Sequence, residues 1–280
     1  MEGIYSQKAV LNILSEHSVA PLKKLGQNFL IDENIVEKIA DAAVVCPNVI
    51  EIGPGMGALT RKLAVRAKKL VAVELDSGMV NVLKETLADF DNVTVINADI
   101  LKTDLKVLAD EFFNGEPFCV AGNLPYYITA KCILHVLDSG ALPVRFTAMV
   151  QREVADRLAA QPGGKDYGAL TASVRYYGKF DKLFNVSSTC FYPKPDVESA
   201  IVSIKPQANF DVCRKDYSQT VRMLFAMRRK TLLNNLKTGM SISSDKAQNY
   251  FAEAGIDAMS RAETLTPEDF ALLTKILFSK

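Results

Sequence analysis

The chain has 280 residues, is 49% hydrophobic and carries a net charge of +1, so it can bury one large core plus a small second domain and is not a disordered chain. Five scattered cysteines without a Cys-x-x-Cys pair, and only two histidines, argue against a zinc site, and we expect no metal. No apolar run is long enough to span a membrane and no signal pattern opens the chain, so a cytoplasmic protein without a membrane partner is expected.

Periodicity predicts an α/β protein. An amphipathic helix is predicted over 4–15, a polar loop that could fold over a cofactor over 20–31, and a helix capped by Asp32 over 33–43. Strands and helices then alternate to about residue 160, which indicates a mostly parallel sheet with helices on both faces. Three further strand-like stretches are expected to close the sheet, near 171–178, 183–190 and 199–204.

The pattern changes after Lys205-Pro206. Only short helices are predicted beyond it, and the last of them has a good start signal at Thr266-Pro267-Glu268. The four predicted helices cover 215–226, 228–238, 245–254 and 267–278. We therefore predict a catalytic domain over 1–205 and a small helical domain over 206–280.

A glycine-rich turn follows the predicted strand Val49–Ile52. In Gly53-Pro-Gly-Met-Gly57 the glycines let the backbone approach a ligand closely, and the following helix offers unpaired N–H groups. The next strand, Leu70–Val73, ends at Glu74, which lies 21 residues after Gly53 and is placed to accept from both hydroxyls of a ribose. The glycines alone do not separate NAD from other adenosine cofactors.

Two more acidic residues narrow the choice of cofactor. Glu51, two residues before the first glycine, suits a cofactor with a cationic amino acid end better than a pyrophosphate. Asp99 follows the strand Val93–Asn97 and could accept from an adenine amino group. Ligands bind at the carboxyl ends of strands in open α/β sheets, where these carboxylates would meet. S-adenosylmethionine is the predicted cofactor, and nothing resembles a hydride-transfer site.

The segment Asn123-Leu-Pro-Tyr126 follows the apolar run Phe118–Ala121. Pro125 restricts Leu124 to an extended conformation, which helps to aim its carbonyl outward. The Asn123 amide oxygen and the Leu124 carbonyl are two acceptors beside the Tyr126 ring, a set that suits N6 of adenine. The alternative is an ordinary strand-to-helix turn in which Asn123 caps and Pro-Tyr packs.

Two runs of basic residues have different expected roles. Between Tyr217 and Ser244 there are five basic residues and no acidic one, which favours contact with RNA phosphates. The residues predicted to make that contact are Arg222, Arg228, Arg229 and Lys230. The second run, Arg61 to Lys69, is expected to be a solvated helix face.

Five motifs occur together in the order known from one family. They are Lys24-Leu-Gly-Gln-Asn-Phe-Leu-Ile-Asp32, Glu51-Ile-Gly-Pro-Gly-Met-Gly57, Asn97-Ala-Asp99, Gly122-Asn-Leu-Pro-Tyr-Tyr127 and Phe191-Tyr-Pro-Lys-Pro-Asp-Val-Glu-Ser199. From about residue 20 to its C-terminus the chain resembles the small-subunit (16S) ribosomal RNA adenine N6,N6-dimethyltransferases, the KsgA (RsmA) family. Erythromycin-resistance methyltransferases, which modify large-subunit RNA, are the nearest relatives of that family.

The resemblance implies a fold and a set of site residues. The fold is that of class I S-adenosylmethionine-dependent methyltransferases, a Rossmann-like sheet of seven mostly parallel strands with one antiparallel strand, and a small C-terminal helical domain. The implied cofactor residues are Asn28, Leu30, Gly53, Gly55, Glu74, Asp99 and Asn123. The implied catalytic residues are Asn123, Leu124, Pro125, Tyr126 and Phe191, in which Tyr126 and Phe191 would hold a flipped-out base.

The resemblance also implies the reaction. Two adjacent adenines in a hairpin loop near the 3′ end of the small-subunit RNA would each be dimethylated at N6. We expect the enzyme to be a monomer and to act on the assembling subunit. Two other functions stay open from the sequence. One is a methyltransferase of the same class acting on large-subunit RNA or DNA. The other is an assembly-checkpoint binding protein in which catalysis is secondary.

Overall fold

The computed structural model describes residues 4–19, 21 and 27–278, which divide into two compact units. One unit comprises Met1–Ala155 and Phe180–Pro206, and the other comprises Asp156–Lys179 and Gln207–Lys280. The last boundary between the two units lies between Pro206 and Gln207, close to the domain boundary predicted from the sequence. Residues 156–179 were predicted to belong to the first domain, but they belong to the second, helical unit. The roles assigned to the two domains remain predictions.

The described part of the first unit contains nine strands. In chain order they are β1 Phe29–Leu30, β2 Asn48–Ile52, β3 Lys69–Glu74, β4 Val93–Asn97, β5 Phe118–Asn123, β6 Arg145–Gln151, β7 Asp181–Val186, β8 Phe191–Tyr192 and β9 Ser199–Ile204. Strands β1 and β8 pair with each other, and the other seven form one sheet in the order β4-β3-β2-β5-β6-β9-β7. Strand β9 pairs antiparallel with both β6 and β7 and all other pairs are parallel, so β9 alone runs opposite to the other six strands. The predicted seven-stranded sheet with one antiparallel strand is confirmed.

In the described chain, seven helices precede or connect the strands of this sheet, and the last of them continues past Ala155 into the second unit. They are α1 Gln7–Glu16, α2 Glu33–Ala43, α3 Ala58–Arg66, α4 Ser77–Thr86, α5 Leu105–Phe113, α6 Thr129–Asp138 and α7 Arg152–Ala159. The predicted cap of α2 is present, because the Asp32 carboxylate accepts from the Ile35 N–H at 3.2 Å. On α3, Lys62 and Arg66 pair with the acidic residues of α2, and both contact Glu37. The solvated face predicted for the Arg61 to Lys69 run therefore does not describe Lys62 and Arg66, whose side chains are only 18% and 25% exposed, although Lys68 and Lys69 are exposed.

The core of the first unit lies between the sheet and the helices α2 and α3. Every residue of β2 and β9 is buried, as expected for strands covered on both faces. Val36 and Ile39 of α2 and Leu63 of α3 pack into the same apolar cluster. Burying each such side chain stabilises the fold by about 1.5–3 kcal/mol, which holds the strand ends in place.

One predicted strand is wrong. Residues 171–178 were expected to form a strand, but α8 (Ala169–Arg175) lies there, in the second unit. The Thr171 hydroxyl accepts from the Gly168 N–H at 3.4 Å and donates to the Arg157 carbonyl at 2.7 Å, which stabilises the first turn of this helix. The stretch predicted over 183–190 is β7 followed by the short 3₁₀ turn Ser188–Cys190.

The second unit is helical. After α8 come α9 Arg214–Leu224, α10 Leu232–Met240, α11 Ser244–Ala254 and α12 Pro267–Phe278. Helix α10 begins four residues later than predicted, because Thr231 caps it by accepting from the Asn234 N–H at 3.4 Å. Arg228, Arg229 and Lys230 therefore lie in the turn before α10. In neither unit does the described chain contain a helix long and apolar enough to span a membrane.

Candidate active site

The carboxyl ends of β2, β3, β4 and β5 border one cavity in the first unit. Three acidic side chains line it, Glu51, Glu74 and Asp99, and the described lining contains no Lys, Arg or His. The strand order of a parallel sheet brings these residues to one edge, as the sequence predicted. The cavity thus presents excess negative charge and favours a ligand that carries positive charge.

Glu74 fastens the glycine turn to the end of β3. Gly53, Gly55 and Gly57 all have positive φ angles, of 69°, 58° and 90°, which side-chain-bearing residues rarely adopt. One Glu74 carboxylate oxygen accepts from the Gly55 N–H at 3.0 Å and the other from the Asp76 N–H at 2.8 Å. Burial raises the pKa of Glu74, and these two backbone donors oppose the rise. Each oxygen keeps a second lone pair for a further donor.

Glu51 is a buried carboxyl group with one oxygen that receives no hydrogen bond from the described chain. Its side chain is 1% exposed, and Oε2 has no hydrogen-bond partner in the described chain. Burial raises the pKa of Glu51 to about 8; the nearby Thr60 hydroxyl opposes the rise and the charge of Glu74 adds to it. An unpartnered buried carboxyl is costly, so the site favours a cationic donor that would ionise it.

Asp99 begins a short 3₁₀ turn at the end of β4. One of its oxygens accepts from the Leu101 N–H at 3.0 Å, and the other lies 3.8 Å from the Lys102 ammonium. The side chain still lines the cavity, so it combines a capping role with an acceptor position beside the ligand space.

The Asn123-Leu-Pro-Tyr segment presents acceptors to the cavity. The Asn123 amide nitrogen donates to the Asn28 carbonyl at 3.1 Å, which leaves the amide oxygen as the end available for another donor. Leu124 donates its N–H to the Met149 carbonyl at 3.1 Å, while no donor in the described chain reaches its own carbonyl. The Pro125 carbonyl, by contrast, accepts from the Ile128 N–H at 3.1 Å. The segment therefore keeps the two predicted acceptors open.

Gly122 allows this segment to lie close to the glycine turn. A Cβ at Gly122 would lie 2.6 Å from the Ile52 carbonyl oxygen of the neighbouring strand β2, a distance that side chains do not tolerate. Without a side chain, β5 pairs with β2 up to its last residues, so that Asn123 follows directly beside Gly53. The glycine before Asn123 is thus required by strand packing.

The aromatic residues of the site differ in position. The half-buried Tyr126 has its hydroxyl 2.8 Å from the hydroxyl of the buried Ser199, which fixes the ring. Tyr127 also lines the cavity and is 52% exposed. Phe191 is only 3% exposed and packs in the apolar core, paired with Leu30 across β1 and β8. The structure does not bring Phe191 into the cavity lining.

The other predicted site residues do come together. The cavity lining includes Asn28, Leu30, Gly53, Gly55, Glu74, Asp99, Asn123, Leu124, Pro125 and Tyr126. The predicted loop over the cofactor can be followed only at residues 21 and 27–31, because the rest of 20–31, including Lys24, lies outside the described residues.

Sequence reasoning missed the contribution of the N-terminal segment. Ile4 and Val10 line the cavity, and the Tyr5 hydroxyl donates to the Ala58 carbonyl at 3.2 Å, at the start of α3. The amphipathic pattern predicted a helix here but did not indicate that this segment would border the cavity. It also gave no sign that Ser199 would hold Tyr126.

The basic residues predicted to contact RNA lie in the second unit. All four are exposed: Arg222, Arg228, Arg229 and Lys230. Arg228 is partly engaged, since its Nε lies 3.8 Å from the Glu263 carboxylate. Within the described ranges, the other three form no ion pair. They are therefore open to solvent anions, as RNA contact requires.

Comparisons with known proteins agree with this geometry. The family model described as "Ribosomal RNA adenine dimethylase" matches residues 21–278. A protein from Bacillus cytotoxicus called ribosomal RNA small subunit methyltransferase A is 42% identical, and the alignment covers 99% of this chain and 98% of that protein. A protein of the same name from Clostridioides difficile is 39% identical, covering 100% and 99%.

Two solved structures are similar over most of the chain. A dimethyladenosine transferase from Plasmodium falciparum has 26% identity and a TM-score of 0.71, covering 88% of this chain and 95% of that one. The 23S rRNA methyltransferase ErmE has 27% identity and a TM-score of 0.66, covering 89% and 99%. Both share the fold; the name of ErmE specifies 23S rRNA, whereas the name of the Plasmodium falciparum protein specifies no RNA.

Proposed function

Because this chain belongs to the ribosomal RNA adenine dimethylase family, we propose that it dimethylates N6 of two adjacent adenines in a hairpin loop near the 3′ end of 16S rRNA. It is an rRNA adenine methyltransferase, and its full-length relatives named for the small subunit support that subunit as the substrate. The observation that carries the proposal is the pair of open acceptors at Asn123 and Leu124, beside the fixed Tyr126 ring.

The cavity fits S-adenosylmethionine as the methyl donor. Glu74 would take the ribose hydroxyls with its remaining lone pairs, and Asp99 would accept from the adenine amino group. The buried, unpartnered oxygen of Glu51 calls for a cationic donor, which the α-ammonium group of the cofactor provides. Asn28, Leu30 and the glycine turn at Gly53 and Gly55 complete the lining.

The chemistry asked of the protein is mainly positioning. When bound, S-adenosylmethionine supplies a methyl group already activated by its sulfonium. The Asn123 amide oxygen and the Leu124 carbonyl would each accept a hydrogen bond from one N6–H of adenine. These two hydrogen bonds would favour a pyramidal nitrogen, whose lone pair is no longer delocalised into the ring and is available for attack. Holding the nitrogen in line with the methyl group lowers the barrier by restricting motion of the reactants.

Proton removal needs no strong base in this site. The methylated nitrogen is first an ammonium, which is acidic and loses its proton readily to water. The described cavity lining accordingly holds no histidine, and its carboxylates lie at the cofactor positions proposed above. After the first transfer one N–H remains, so one acceptor still positions the nitrogen for the second.

Stacking would hold the target base outside its loop. Tyr126 supplies one face, and base–aromatic stacking is worth about 1–3 kcal/mol. Phe191, the second ring implied by the resemblance, pairs with Leu30 and packs in the apolar core. Reaching the base would require Phe191 to leave its present position in the core.

The helical unit would bind the RNA of the assembling small subunit. Its exposed basic residues Arg222, Arg228, Arg229 and Lys230 are the proposed phosphate contacts. We place the enzyme in the cytoplasm, where it would act on its particle as a monomer. Sedimentation of the free protein and of its complex with the subunit tests that stoichiometry.

Methyl transfer from labelled cofactor to three substrates tests the proposed function. Unmethylated small subunits, large subunits and naked small-subunit RNA are supplied in parallel at equal concentration. We expect label in small-subunit RNA. Label in large-subunit RNA alone would instead favour the activity named for ErmE. Binding of small subunits without any transfer would favour an assembly-checkpoint role.

A further inference from the structure

The segment 161–168 of the second unit is held in place despite its composition. Its sequence, Gln-Pro-Gly-Gly-Lys-Asp-Tyr-Gly, is typical of a mobile loop. Tyr167 is nevertheless fully buried, with its ring centroid 6.4 Å from that of Phe225. The Gly163 N–H donates to the Glu263 carbonyl at 2.7 Å, so the segment is tied to two distant parts of the same unit.

These ties place Lys165 beside the predicted RNA contacts. The Arg228 guanidinium donates to the Lys165 backbone carbonyl at 3.0 Å. Lys165 is exposed, as are Arg228, Arg229 and Lys230 in the turn after Phe225. This contact joins two segments more than sixty residues apart, and we name the four exposed cations that they carry the composite basic surface. It consists of Lys165, Arg228, Arg229 and Lys230.

The charges around Lys165 are of both signs. Glu263 lies 3.8 Å from Arg228 and offsets part of its charge, and the exposed Asp166 is the next residue along the chain. Within the described ranges, Lys165 forms no ion pair with either. Its ammonium group therefore remains available for an external anion, while Asp166 would repel one.

We propose that Lys165 contacts a phosphate of the substrate RNA and that segment 161–168 is part of the RNA-binding surface. This inference rests on the proposed function, which supplies an RNA partner. Its physical basis is preorganisation: buried Tyr167 and the Arg228 bond fix the backbone on which Lys165 stands, so less ordering entropy is lost on binding. The net positive charge of the composite basic surface complements the regular negative charge of an RNA backbone.

Two neighbouring substitutions of opposite sign test the proposal. Lys165→Gln and Asp166→Asn are compared with Lys84→Gln, which removes one exposed lysine from α4 in the first unit. The measured quantity is the affinity for naked small-subunit RNA and for unmethylated small subunits at several salt concentrations. Lys165→Gln should weaken binding and reduce the salt slope by about 0.7–0.9, because one phosphate contact is lost. Asp166→Asn should strengthen binding.

The controls separate this inference from the proposed function. Lys84→Gln should bind as the parent does, and melting curves should show all variants folded. If the parent methylates small-subunit RNA but Lys165→Gln retains the parental salt slope, the inference fails while the function stands. Weaker binding to subunits with unchanged binding to naked RNA would also overturn it, in favour of contact with a ribosomal protein. If the parent methylates no small-subunit RNA, the proposed function itself fails.

Discussion

Replacing Glu51 with Gln should remove the pH dependence of cofactor binding. Glu51 is buried, one oxygen has no partner in the described chain, and burial raises its pKa to about 8. The free protein therefore holds this carboxyl protonated at pH 6 to 7, whereas a bound ammonium group would stabilise the carboxylate. Binding must then release one proton, which corresponds to about 1.4 kcal/mol, or roughly tenfold in affinity, for each pH unit below the pKa.

Calorimetry measures both the affinity and the proton. Titrations of S-adenosylmethionine at pH 6 and pH 7, each in two buffers of different ionisation enthalpy, should show parental affinity about tenfold higher at pH 7, with one proton released. Glu51→Gln should show neither effect. Glu253→Gln, on the exposed surface of α11, should behave as the parent. Parental binding that is independent of pH, or unchanged pH dependence in Glu51→Gln, would refute the assignment.

Three further variants test the remaining assignments. Glu74→Ala should lose charge-assisted hydrogen bonds worth about 1.5–3 kcal/mol, roughly ten- to a hundredfold in cofactor affinity; unchanged affinity by calorimetry would remove Glu74 from the site. Asn123→Ala should depress single-turnover methyl transfer much more than RNA affinity, and near-normal turnover would exclude the proposed mechanism. Neutralising Arg229 and Lys230 together should weaken RNA binding and flatten its salt dependence without changing cofactor affinity. An unchanged salt slope would show that these two residues are exposed to solvent and do not contact RNA phosphates.

The sheet edge could be predicted because it depends on local patterns and one topological rule. Glu51 lies near the end of β2, Glu74 ends β3 and Asp99 follows β4, and each of these strands is visible in the sequence as an apolar run beside the acid. Parallel connections then bring those ends to one edge, and the structure confirms that edge as the cavity wall. The positive φ angles of the glycine turn likewise follow from residue type.

Contacts between distant segments could not be predicted in this way. The bond between Tyr126 and Ser199 spans 73 residues, and nothing in the sequence pattern around either residue signals it. Residues 171–178 contain alternating apolar positions that fit a strand, but hydrogen bonds of Thr171 stabilise a helix there. Phe191 has an aromatic ring that could stack on a base, but its backbone pairs with Leu30 and its side chain packs in the core.

The most direct test of the proposed reaction is the identity of the product. Unmethylated small subunits are incubated with the enzyme and S-adenosylmethionine, and the small-subunit RNA is digested and analysed by mass spectrometry. The account predicts N6,N6-dimethyladenosine at two adjacent positions in a hairpin loop near the 3′ end. A product that stops at monomethyladenosine, or methylated adenine in large-subunit RNA when both subunits are supplied, would contradict it.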